Sequence, residues 1–130
     1  MSAPSLVSVV DDDPAFRNSM RRLLKSLGYA VGVFPSAADF LSSSQLATTA
    51  CLVADVQMPL MTGIELHKHL IDSGHAIPTI LITAYPDSRV RKRARSLGVV
   101  CYLPKPLVEA DLIACLRSAF APTHPSLIAP

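Results

Sequence analysis

Long apolar runs are missing from this 130-residue sequence. None approaches the ~18–20 residues that a membrane-spanning helix needs. Met1-Ser2-Ala3-Pro4 carries no basic residue, and three aspartates follow the short apolar stretch behind it. No secretory signal peptide is therefore expected. Cysteine is scarce: Cys51, Cys101 and Cys115 are an odd number at long spacings, with no CxxC pair. No disulfide framework is expected, and their apolar surroundings read as small core residues. The expected compartment is the reducing cytosol. A large excess of one charge is also missing, since 12 basic against 10 acidic residues leave a net charge of +2. Non-specific nucleic-acid binding by the whole surface is not suggested. There is no internal repeat and no long low-complexity tract.

What is present describes a folded domain. Half of the residues are hydrophobic and 17% are charged, which argues against a disordered chain. The length fits one domain, burying roughly two-thirds of the surface that the unfolded chain exposes. The charge is unevenly spread. Arg89, Arg91, Lys92, Arg93 and Arg95 fall within seven positions, and Asp11, Asp12 and Asp13 are consecutive.

Leu6-Val7-Ser8-Val9-Val10 is a β-branched, almost wholly apolar run, the pattern of a strand buried on both faces. Pro14 suits a first helical position and Asp13 an N-cap. Phe16, Met20, Leu23, Leu24 and Leu27 then form one apolar helix face, with Arg17, Arg21 and Lys25 on another, and Gly28 closes the helix. Alternation continues. Strands are expected at 29–34, 51–54, 78–82 and 99–103, and helices at 36–41, 64–71, 88–97 and 108–120. Five strand–helix units argue for a parallel sheet covered by helices on both faces. The domain is expected over 4–120. Residues 121–130 hold three prolines and read as a tail or the start of a linker.

In an open α/β sheet, ligands bind beyond the carboxyl ends of the strands, where the strand order switches. Asp11, Asp12 and Asp13 follow the first expected strand, Asp55 the third, Thr83 the fourth and Lys105 the fifth. Taken singly, each has a plainer reading: a turn and helix cap, a solvated strand end, a strand hydroxyl, a surface lysine. Together they bring carboxylates, a hydroxyl and an ammonium to one sheet edge. Adjacent carboxylates repel by ~1–4 kcal/mol per pair, so the cluster calls for a cation. Oxygen ligands suit Mg²⁺ better than Zn²⁺. Such a site can hold a phosphoryl group, with an aspartate as covalent acceptor. His67, His69 and His75 read as surface histidines.

These residues closely resemble the receiver domain of bacterial two-component response regulators. The resemblance spans roughly residues 5 to 120. It rests on Val9-Val10-Asp11-Asp12-Asp13-Pro14, the run from Asp55 to Thr62-Gly63, Ile82-Thr83-Ala84 and Lys105-Pro106. Phe34-Pro35-Ser36-Ala37 and Leu103-Pro104-Lys105-Pro106 are most similar to the FixJ branch. The resemblance implies a flavodoxin-like sheet of order 2-1-3-4-5. It implies Asp55 as phosphoacceptor from a histidine kinase, or from a small phosphodonor. Mg²⁺ would be held by Asp12 and Asp55, by Asp11 largely through water, and by the Gln57 backbone carbonyl. Lys105, before a cis bond to Pro106, would pair with Asp55 and then with the phosphoryl oxygens. Thr83 and Tyr102 would be the switch pair. The output face would be formed by the helix at 88–97, the strand at 99–103 and the helix at 108–120. A downstream protein or output domain would read that face, with homodimerisation on phosphorylation, and no nucleic acid or membrane contact is expected of this chain. The basic cluster at 89–95 is either a solvated face or a dock for an acidic partner. Tyr85, beside Thr83, is expected to shield the phosphoryl group from water.

Three competing classes follow from the same residues. The leading one is a phosphorylation-controlled signalling module, not a turnover enzyme. An aspartate-nucleophile phosphatase or dehalogenase wants a second acid two residues after the nucleophile, where this chain has Gln57. A flavin carrier wants a Ser/Thr/Gly-rich first loop, where this chain has three aspartates. A stand-alone receiver and the receiver half of a longer transcription factor both fit the tail, and a stand-alone chain is the slightly favoured expectation.

Overall fold

The structure is a computed structural model and describes residues 4–122 and 126–128. Five strands and five α-helices alternate: β1 Leu6–Val10, α1 Pro14–Ser26, β2 Ala30–Phe34, α2 Ala37–Leu41, β3 Thr49–Asp55, α3 Gly63–Asp72, β4 Thr79–Thr83, α4 Ser88–Ser96, β5 Cys101–Pro104 and α5 Glu109–Ala119. A short 3-10 turn at Leu46–Thr48 precedes β3. The sheet order is β2-β1-β3-β4-β5, all parallel. The expected doubly wound topology is the observed one.

The strands are apolar because both sheet faces are covered. Alternate residues divide between two cores. Val10, Leu52, Ala54 and Leu81 pack with Phe40 of α2, Ile64, Leu66 and Leu70 of α3 and Ala94 of α4. Val7, Val9, Val53, Ile80 and Ile82 pack with Met20 and Leu24 of α1 and Leu112 and Leu116 of α5. Local chemistry sets the helix ends. The Asp13 carboxylate accepts from the Ala15 N–H ahead of Pro14, and Ser36 caps α2 by accepting from the Asp39 N–H. α1 ends at Gly28, whose φ of 95° only glycine adopts without strain. There the Tyr29 N–H returns to the Leu24 carbonyl.

Three expectations need correction. Strand β3 runs from Thr49 rather than Cys51. Polar Thr49 does not read as strand, but its hydroxyl is satisfied by Ser8 at 2.7 Å and by the Gln45 carbonyl. His67 is buried, not on the surface. Its Nε2 lies 2.8 Å from the Leu97 carbonyl and its Nδ1 2.8 Å from the Thr79 hydroxyl. A carbonyl can only accept, so the neutral ring carries its proton on Nε2. Cys101 and Cys115 are disulfide-bonded, with Cα atoms 6.0 Å apart, and only Cys51 is free. Their separation of 14 residues conceals the pairing, which arises because the inner face of β5 packs directly on the buried stripe of α5. The tail is the remaining surprise: Ile128 is buried against the domain body, in the core shared with Ala94 and Val99.

Candidate functional site

The strand order reverses between β1 and β3, and the carboxyl ends of these two strands deliver the acids. Asp11 directly follows β1 and is fully buried. Its Oδ1 accepts from the Asp13 N–H at 2.8 Å, its backbone N–H donates to the Phe34 carbonyl, and Arg17 Nη1 donates to its carbonyl at 2.7 Å. Asp55 is the last residue of β3, buried, with Oδ1 accepting from the Gln57 N–H at 3.2 Å. Asp12 is exposed. Carboxylate oxygens of Asp11, Asp12 and Asp55 all lie within 4.8 Å of one another.

Lys105 reaches this cluster from the end of β5. Its Nζ lies 2.9 Å from Asp11 Oδ2 and 3.4 Å from Asp55 Oδ2, and 4.3 Å from the centre of the Phe16 ring. The ammonium thus sits closer to Asp11 than to its expected partner, Asp55. The Lys105–Pro106 bond is cis, as the resemblance implied. Burial and the charge of Asp11 push the Asp55 carboxyl above its ordinary range, and Lys105 and the Gln57 N–H only partly offset them. For Lys105, burial acts to lower the ammonium pKa, but the hydrogen bond and charge of Asp11 and the charge of Asp55 outweigh it, and the net shift is upward.

Thr83 ends β4 and is fully buried. Its hydroxyl donates to the Gln57 side-chain oxygen at 2.6 Å and accepts from the Tyr85 N–H at 3.0 Å. Tyr102 stands apart from the acids. Its hydroxyl accepts from the Asp87 N–H at 3.1 Å, at the cap of α4. Tyr85 is 73% exposed, and its backbone N–H meets the Thr83 hydroxyl.

The site therefore unites Asp11, Asp12, Asp55 and Lys105, and it joins Thr83 to Gln57. Two contributions were not foreseen from the sequence. One is the Gln57 side chain, which holds the only proton of the Thr83 hydroxyl. The other is Gly63. A Cβ there would lie 2.5 Å from the Asp55 carbonyl oxygen, so only glycine lets the start of α3 approach the acceptor strand this closely. Its place directly after the helix-capping Thr62, eight positions after Asp55, gave no spatial signal.

The family model described as the response regulator receiver domain matches residues 7–117. The chain belongs to the response regulator receiver family. Among its relatives, the transcriptional regulatory protein FixJ of Azorhizobium caulinodans is 39% identical over 113 residues, covering 87% of this chain and 54% of FixJ. The response regulator protein TmoT of Ectopseudomonas mendocina is 34% identical over 115 residues, covering 88% of this chain and 52% of TmoT. The receiver thus spans about half the length of the curated relatives it matches. Among solved structures, StyR superposes with a TM-score of 0.82 at 38% identity, over 91% of this chain and 59% of StyR. FixJ-N superposes with a TM-score of 0.79 at 32% identity, over 92% of this receiver and 94% of FixJ-N. Family membership leaves the phosphatase or dehalogenase reading without support, and receivers are generally signalling domains rather than metabolic enzymes.

Proposed function

We propose that this receiver accepts a phosphoryl group on Asp55 from the phosphohistidine of a sensor kinase, or from a small phosphodonor. The observation that carries the reading is one lysine ammonium held between two buried carboxylates, Asp11 and Asp55, at the switch in strand order. An Asp55 oxygen attacks phosphorus, the P–N bond to the imidazole breaks, and its electron pair stays on the ring nitrogen. The product is an acyl phosphate on Asp55. Lys105, already poised at 3.4 Å from the acceptor, then pairs with the phosphoryl oxygens. Thr83 can donate to the same group only after leaving Gln57, because its hydroxyl has a single proton.

The donor set consists of carboxylate oxygens within 4.8 Å, with no sulfur or imidazole, and fits Mg²⁺. Asp12 and Asp55 would hold the ion directly, the Gln57 backbone carbonyl would add a ligand, and Asp11 would act largely through water. Mg²⁺ supplies charge neutralisation between the acceptor and the incoming phosphoryl oxygens.

The receiver occupies 4–120, with 121–130 as tail or linker. Its output passes through α4, β5 and α5 to a downstream protein or output domain, with homodimerisation on phosphorylation and no direct contact with nucleic acid. Thr83 and Tyr102 form the switch that selects a pre-existing conformer. Its compartment is the cytoplasm. Acetyl phosphate with Mg²⁺ should place a base-labile, acid-stable phosphoryl group on the wild type. The Asp55→Asn variant should incorporate none, and incorporation at the wild-type rate would remove Asp55 from the role.

A further inference from the structure

The groove between α4 and the edge strand β5 is filled by the chain itself. β5 is the last strand of the sheet, and sheet edges are where extended segments add on. Ser126, Leu127 and Ile128 lie beside the residues that lead into β5 without joining the sheet. The Leu127 N–H donates to the Val100 carbonyl at 2.8 Å, and the Ser126 hydroxyl donates to the Val99 carbonyl at 3.0 Å. From the other side, Arg95 Nε of α4 donates to the Ile128 carbonyl at 3.0 Å. The Ile128 side chain is 6% exposed, in a core that includes Ala94 and Val99 and against which Val90, Leu97 and Tyr102 pack. Leu127, by contrast, is 52% exposed. The three residues thus combine one backbone hydrogen bond, two side-chain-to-backbone bonds and an apolar anchor, as extended segments do when they dock in a groove. Arg95, one of the basic cluster on α4, serves this contact rather than a purely solvated face.

We propose that the α4–β5 groove is a docking surface for an extended segment with one apolar anchor, and that this chain's own Ser126–Ile128 is its resident occupant in cis. The short connection from the end of α5 gives the segment a high effective concentration at the groove. Leu127 and Ile128 also line a cleft with Arg91, Tyr102, Leu103 and Asp111, which belong to α4, β5 and α5. Any partner or second copy that reads this face must displace the segment. That consequence rests on the receiver reading of the output face; the docking itself does not.

Amide hydrogen exchange on the full chain tests the docking. The Leu127 N–H should exchange at least about tenfold more slowly than its unstructured rate, at every protein concentration. Ile128→Asp and Arg95→Ala should each bring it to within about twofold of the unstructured rate, while the amide of Ile82 in the sheet centre stays protected and reports an intact fold. A synthetic peptide of residues 121–130 should perturb α4 and β5 amides of the Ile128→Asp chain and not those of wild type. Unprotected Leu127 in wild type, protection that survives Ile128→Asp, or a peptide that leaves the variant unchanged overturns the proposal. Protection that grows with protein concentration gives the groove to a second copy's segment and overturns docking in cis. Phosphoryl labelling of Asp55 is read separately, so failure of the receiver reading leaves a distinct signature.

Discussion

Asp55 is held in a state that folding alone would not choose. Burial and the neighbouring Asp11 carboxylate raise its pKa in the folded chain. A carboxyl with a raised folded pKa contributes stability below its unfolded value and loses it as pH rises through the folded value. At neutral pH the ionised Asp55 is therefore a cost. Asp55→Asn should raise stability by about 1 kcal/mol at pH near 7 without divalent cation, measured by urea unfolding; a less stable variant would contradict this account of the site. His67 has the opposite linkage. Burial lowers its pKa below 6.5 despite the Leu97 carbonyl, so its contribution is present above 6.5 and lost as pH falls below it. The loss is at most ~1.4 kcal/mol per pH unit. Unfolding at about pH 7.5 and about pH 5.5 should show a shallower dependence for His67→Gln than for wild type. Cys51 takes no part in this range, because burial pushes its thiol up to about 12.

Elements matter here through their ends. α3 begins with a capping box, in which the Thr62 hydroxyl accepts from the Glu65 N–H and the Glu65 carboxylate accepts from the Thr62 N–H. That cap fixes the first turn beside β3, and Gly63 allows the contact. The preceding loop bends sharply, with Leu60 at φ 70° and fully exposed. Gly63→Ala would force α3 away from the Asp55 carbonyl or displace the end of β3. It should cost about 1–3 kcal/mol as an overpacked site and slow acetyl phosphate labelling of Asp55. Wild-type labelling and stability in that variant would show that the approach of α3 does not position the acceptor. α4 is tied at both ends to other parts of the molecule. Its Asp87 cap accepts from the Arg89 and Val90 N–H groups while donating its own N–H to Tyr102, and Arg95 near its end holds Ile128. The Tyr102 side chain thus touches both the start of α4 and the core that buries Ile128.

At the scale of the whole molecule, the ends of four strands meet at one sheet edge and leave three carboxylates near one another with a lysine between two of them. A cation that binds only this folded arrangement stabilises the entire chain by mass action, ~2.7 kcal/mol at a hundred times its dissociation constant. Mg²⁺ should raise the thermal midpoint of wild type in a saturable manner, and Asp12→Ala should abolish most of the rise. An equal rise in both chains would place the ion elsewhere.

The fold and the four strand-end motifs were legible because they depend on local regularities. Period-2 and period-3.6 patterning, Asp13 and Ser36 as caps, and Gly28 as a stop each act within a few residues. Strand alternation with helices then leaves few topologies, and polar groups following buried strands must lie at the same edge. What remained hidden depends on contacts between distant segments. His67 looks like any helix-surface histidine until Thr79 and Leu97, from two other elements, provide its partners. Cys101 and Cys115 look like core residues until β5 lies on α5. The Gln57 side chain meets Thr83 across 26 positions, and Ile128 meets Arg95 across 33. Sequence by itself determined the alternation of five strands with five helices and which residue types gather at the carboxyl edge, because hydrophobic periodicity and capping are local; the strand order came from the family resemblance. Tertiary structure alone decided which carboxylate Lys105 favours, what holds the Thr83 proton and what covers β5, because each is a choice among partners that only folding brings within reach.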